Sequence, residues 1–98
     1  MANDRPTLVI NRRTGARYDV YIGRPSKWGN PFSHLPSQFA TTVATRNEAI
    51  ARYREWIQTQ PQLLASLHEL KGKVLGCWCD PMPCHGHVLA DLADGLNE

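Results

Sequence analysis

The 98-residue chain has only three cysteines, no long apolar run and almost no net charge, and each shortage excludes a class of protein. Cys77, Cys79 and Cys84 are odd in number and crowd into residues 77–84, which argues against a secreted disulfide scaffold. Reduced thiols in the cytoplasm are the expectation. No stretch approaches the ~20 apolar residues that span a bilayer. The opening "MANDRPTL" also lacks the basic-then-apolar order of a signal peptide, so no membrane partner is expected. A net charge of +2 falls short of a dedicated duplex binder. Repeats and low-complexity tracts are absent, as are the GxxxxGK[ST] phosphate loop and the GxGxxG dinucleotide fingerprint.

What is present suits one soluble globular domain over residues 1–98, with 42% hydrophobic and 20% charged residues. The charge is uneven. Residues 1–44 carry six Lys/Arg against Asp4 and Asp19, a net +4, whereas residues 45–98 carry −2. An anion-facing N-terminal half follows from that asymmetry. Arg12, Arg13 and Arg17 themselves read as a solvated turn.

"TLVINRR" (7–13) and "RYDVYIGR" (17–24) are β-rich runs on either side of "TGA", which predicts a hairpin with Gly15 at positive φ. Pro25, Gly29, Pro31 and Pro36 break residues 25–44 into a long irregular loop, a kind more often functional than not. Thr45 and Glu48 form a capping box, and Ala49, Ile50, Tyr53, Trp56 and Ile57 follow at helical spacing. Pro61 opens a second helix that Gly72 stops. "KVLGCWC" (73–79) reads as a buried strand, and Asp80-Pro81 as the cap and first turn of a last helix. The expected fold is α/β: a small three-stranded sheet, built from the N-terminal hairpin plus the later strand, with three helices packed on it.

Two stretches carry chemistry. "CWCDPMPCHGH" (77–87) sits where a strand hands over to a helix, and Cys84 falls in or beside the first turn. Free N–H groups and the helix dipole favour a thiolate there, which makes Cys84 the candidate nucleophile with His85 beside it. Adjacent helical residues point about 100° apart, so His85 is free to serve a partner other than Cys84. No cofactor is firmly implied. The alternative is zinc held by Cys77, Cys79, Cys84 and one of His85 or His87. Four residues separate Cys79 from Cys84, where a thioredoxin-type redox pair uses two. Cys77 and Cys79 read first as buried core.

"VYIGRPSKWGNPF" (20–32) combines Arg24, Ser26, Lys27, Trp28 and Asn30. Arginine offers a planar fork and lysine a point charge for phosphate, tryptophan a stacking plane and asparagine a base-edge partner or loop brace. That inventory points to a nucleotide-like phosphorylated ligand or a nucleic-acid end. His34 and His68 read as ordinary loop and helix residues.

Together the two blocks resemble a family of small phage and bacterial domains of unknown function. Its members pair a "V-Y-x-G-R-x-S-K-W-G-N-P-F" block with a C-terminal "C-W-C…P-C-H-[AG]-D-V-L" block, and the likeness spans roughly residues 18–93. It implies that both blocks belong to one domain and share a site, with Arg24, Ser26, Lys27, Trp28, Gly29 and Asn30 in the first. Cys77, Cys79, Pro83, Cys84 and His85 fall in the second. This chain has His87 where the family commonly has Asp, which weighs against His87 as an essential ligand or base. The expected site is one pocket between the Arg24–Asn30 loop and the Cys84-His85 helix start. A structural zinc module and a non-catalytic nucleic-acid-binding accessory are the competing readings.

Overall fold

The computed structural model describes residues 6–24, 26–35, 40–78 and 84–95. Strands β1 (Leu8–Asn11), β2 (Val20–Tyr21), β3 (Phe32–Ser33) and β4 (Thr41–Thr42) come first. Helices α1 (Arg46–Ile57) and α2 (Pro61–Ser66) follow, then β5 (Val74–Cys77) and α3 (His85–Asp94). The expected α/β class, with a three-stranded sheet and three helices, is what these residues form.

The pairing inside the sheet differs from the expected hairpin. The strand order is β1-β5-β2, and both outer strands run parallel to β5, with Val9 opposite Leu75 and Val20 also opposite Leu75. The later strand has entered between the two halves of the supposed hairpin. After β1 the chain makes a 3-10 turn at Arg12–Thr14, closed by Gly15 at φ 78°. It then crosses the sheet to start β2 instead of doubling back. The crossing is possible because β5 carries Gly76 beneath it. A Cβ on Gly76 would stand 2.8 Å from Cγ of Tyr18 and 3.3 Å from Cγ of Arg12. Residues two apart on a strand share a face, so Leu75 and Cys77 point away from this crossing, into the core.

On that inner face Leu75 and Cys77 join Ile22, Tyr53, Ile57, Leu67, Leu70, Val88 and Leu89 in one buried cluster. Burial of such side chains is the main favourable term in folding. Helix α1 contributes Ala49, Tyr53 and Ile57, spaced four apart as one helical face requires. Thr45 caps it by accepting from the Glu48 N–H at 3.0 Å, while the Glu48 carboxylate reaches back one residue further than expected, to the Ala44 N–H. Pro61 opens α2 as foreseen. The far end of the sheet is tied by Thr7, whose hydroxyl donates to Asp94 Oδ1 of α3 at 2.6 Å and accepts from the Gly72 N–H at 2.9 Å. Within the supposed irregular loop, Phe32 and Ser33 pair in parallel with Thr41 and Thr42. Among the described residues no helix is long and apolar enough to cross a membrane.

Candidate functional site

Helix α3 begins at His85, four residues beyond the Pro81 expected in its first turn. Its N-cap is Cys84, in extended backbone at φ −150° and ψ 152°, and the expected Asp80-Pro81 cap lies outside the described residues. The Cys84 Sγ accepts from the Gly86 N–H at 3.4 Å, and the Cys84 N–H donates to His87 Nδ1 at 3.1 Å. This is a capping box with a thiol in place of the usual hydroxyl. His87 serves as the acceptor at the third helical position.

Because Cys84 is a cap rather than a helical residue, the 100° offset expected between it and His85 does not apply. His85 Nδ1 lies 3.6 Å from Cys84 Sγ. On the other side of the ring, Nε2 lies 2.7 Å from the Ile22 carbonyl oxygen, which only accepts, so the proton sits on Nε2. Nδ1 is left as the acceptor facing the thiol. Burial, reinforced by the nearby charges of Arg24 and His87, lowers the His85 pKa to about 4 against the opposing pull of the Ile22 carbonyl. The imidazole is neutral at pH 7. Its ring meets that of Tyr53 edge-on at 5.0 Å. The Tyr53 hydroxyl donates to the Trp28 carbonyl at 2.7 Å, and burial, then the neighbouring Cys84, push its pKa well above the usual range. Thiol, imidazole and carbonyl thus form a line from the end of β2 to the start of α3.

Cys84 and His85 lie in the wall of a cavity of about 490 Å³, within the size range of small-molecule sites. Arg24 and Asn30 line it as well, so the two blocks do meet. Arg24 Nη1 donates to the Asn30 carbonyl at 3.1 Å, and the Tyr21 hydroxyl donates to the Arg24 carbonyl at 3.0 Å. Asn30 braces the loop: its amide donates to the Ala49 carbonyl and accepts from the Phe32 N–H.

The other residues expected to bind ligand, Ser26, Lys27 and Trp28, are not in the cavity lining. Trp28 is only 2% exposed and belongs to the core, so its ring has no face to offer a base. Lys27 pairs with Glu69 at 3.1 Å and lies over the Trp28 ring. Ser26 is partly buried away from the cavity lining. Of the residues read as ligand contacts in this block, Arg24 and Asn30 line the cavity.

Sequence reasoning missed Arg13, His34 and Arg46, all of which line the cavity. Arg13 comes from the turn after β1 and Arg46 from the first turn of α1, and neither stands in a motif. Arg13 is part of the +4 of residues 1–44, whereas Arg46 lies in the region that carries −2. No described residue lining the cavity is acidic. The Lys27–Glu69 and Arg54–Asp91 ion pairs both lie elsewhere. His68 is exposed, with Nδ1 on the Ala65 carbonyl.

Of the residues named for zinc, Cys77, Cys84, His85 and His87 are described. Both ring nitrogens of His85 already have partners, and the Cys84 sulfur caps α3. Among the described residues no group of three His, Cys, Asp or Glu side chains has ligand geometry, and Cys79 lies outside them. Cys77 is buried at the end of β5 and contributes to the cavity lining.

The family described as "Domain of unknown function (DUF4326)" matches residues 9–95. The chain is 34% identical over 89 residues to the "Uncharacterized 12.4 kDa protein in nrdA-td intergenic region" of Enterobacteria phage T4, an alignment covering 90% of this chain and 78% of that protein. It is 36% identical over 92 residues to "Uncharacterized protein R718" of Acanthamoeba polyphaga mimivirus, covering 76% of this chain and 65% of that protein. The chain therefore spans just under two thirds of the mimivirus protein's length. No solved structure matches the chain.

Proposed function

The chain belongs to the DUF4326 family, and for this member we propose that the cavity binds a phosphorylated, nucleotide-like ligand and presents it to the Cys84 thiol. The observation that carries this reading is the meeting of Arg13, Arg24 and Arg46 with the Cys84–His85 pair around one cavity that has no acidic side chain in its described lining. Guanidinium groups suit phosphate because their planar donors match its oxygens in pairs. Phe32, Leu35 and Ile50 supply apolar wall, as small-molecule sites generally require.

Cys84 has the parts of an activated nucleophile. The Gly86 N–H and the dipole of α3 favour negative charge on sulfur, and His85 Nδ1 stands ready to take the thiol proton. When sulfur attacks an electrophilic centre of the ligand, the S–H proton passes to Nδ1 while Nε2–H stays on the Ile22 carbonyl. The bond to the leaving group breaks, and the imidazolium returns the proton to it. A neutral resting imidazole, held by burial, is the form that such a transfer needs.

The test combines binding and labelling. Titration with nucleoside monophosphates and with inorganic phosphate should show saturable binding that Arg24→Gln weakens by about tenfold or more, the loss of a charged hydrogen bond. Bound phosphate should also slow alkylation by iodoacetamide at Cys84, with Cys84→Ser identifying the modified site. Absence of binding to every probe, together with alkylation indifferent to phosphate, would overturn the proposal.

A further inference from the structure

Beside the cavity, on the outer face of the sheet, stands a cluster that neither the cleft nor the core explains. The Arg12 guanidinium lies 5.0 Å from the ring centre of Tyr18 and 4.8 Å from those of Tyr21 and Trp78. Although Arg12 covers one face of each ring, Trp78 remains 46% exposed and Tyr18 38% exposed. Two large aromatics held half in water are costly unless they have a use. They are also held firmly. Trp78 Nε1–H donates to the Tyr21 hydroxyl at 3.0 Å, and that hydroxyl donates to the Arg24 carbonyl. Tyr18 in turn rests on the bare backbone of Gly76.

The cluster is continuous with the cavity, because Tyr21 and Trp78 also line it, as does Arg13 from the same crossing segment. That segment, Arg12 to Tyr18, holds three arginines and no acidic residue. Fixed aromatic faces set among arginines that form no ion pair among the described residues are what sequence-tolerant binding of single strands requires: bases stack, and phosphates track the cations. A duplex hides its base faces and gains nothing from such rings.

We infer that this aromatic surface receives single-stranded nucleic acid, with a base on Trp78 and Tyr18 and an adjoining phosphate in the arginine-lined cavity. The inference rests on the phosphate reading of the cavity and narrows its ligand from nucleotides in general to a polynucleotide strand. The two share Trp78, Tyr21 and Arg13 but part at Tyr18, which is absent from the cavity lining.

Fluorescence anisotropy tests it with a labelled pyrimidine strand of about 8 nucleotides, within the usual site size of such proteins. The same strand in duplex form and a nucleoside monophosphate serve as comparisons. The single strand should bind at least tenfold more tightly than either, about the effect of one stacked base. Its affinity should fall with salt at a logarithmic slope of about −2, as three arginine–phosphate contacts predict. Tyr18→Ala should weaken strand binding by roughly tenfold while leaving the binding of inorganic phosphate, which has no base to stack, unchanged. Tyr18→Leu, which keeps an apolar cover over Gly76, should lose the same stacking and guards against a folding defect. Monophosphate binding without any gain for the strand would overturn this inference and spare the cavity reading. A Tyr18-dependent strand complex without monophosphate binding would sustain the aromatic surface and overturn the cavity. Failure of both ligands to bind would overturn both.

Discussion

Acidification should destabilise the protein through His85, and the size of the effect follows from its surroundings. The side chain titrates at about 4 in the fold, against an ordinary value of 6.5, because burial opposes the charged form and because Arg24 and His87 lie nearby. Between those values the unfolded chain binds a proton that the folded protein refuses. The resulting stability is complete above about pH 6.5 and is lost as the pH falls toward 4. At pH 5 the loss amounts to about 2 kcal/mol, and near pH 4 it approaches about 3 kcal/mol, where it levels off. For a domain of this length, about 2 kcal/mol corresponds to roughly 8–16 °C in Tm. Thermal unfolding of the wild type and of His85→Gln at pH 7 and pH 5 isolates the contribution, since carboxylates and the other histidines titrate in both proteins. Glutamine retains a donor for the Ile22 carbonyl but cannot charge. His85→Gln should be the less stable protein at pH 7, having lost the acceptor for the Cys84 thiol, and the gap should shrink by about 2 kcal/mol at pH 5. An unchanged gap would refute the picture of a buried neutral imidazole, and with it the acceptor role assigned to Nδ1.

Two further outcomes concern the frame of the site. Gly76→Ala should lower stability by about 1–3 kcal/mol, because the new methyl group would stand 2.8 Å from Cγ of Tyr18, an atom anchored close to the backbone. A Tm equal to that of the wild type would show that the crossing segment does not rest on β5. Thr7→Val removes both the donor to Asp94 and the acceptor for the Gly72 N–H. Urea unfolding should show a loss of about 1–3 kcal/mol, and an unchanged midpoint would count against this tie between β1 and α3.

The helices were the most legible part of the chain. The spacing of Ala49, Tyr53 and Ile57, the Thr45 cap and Pro61 each announce a local event, and local geometry settles it. The sheet was less legible. Thr14-Gly15 between two β-rich runs signals a hairpin, but β1 and β2 are four and two residues long and gain more by pairing with the buried β5. That choice depends on a strand about sixty residues away and on a glycine whose missing side chain lets the chain cross. At the site, adjacency suggested that Cys84 and His85 would diverge. The extended backbone of the N-cap reverses that expectation and brings sulfur and ring nitrogen to 3.6 Å.

The amino-acid order alone determined the helices, the α/β class and the two blocks from which a shared site was expected, because capping, periodicity and motif spacing act over a few residues. Only the tertiary structure decided the parallel strand order, the burial of Trp28 and the recruitment of Arg13, His34 and Arg46 to the cavity. Those outcomes depend on which surfaces meet once the core has closed, and an isolated arginine or tryptophan carries no mark of the neighbour that folding will give it.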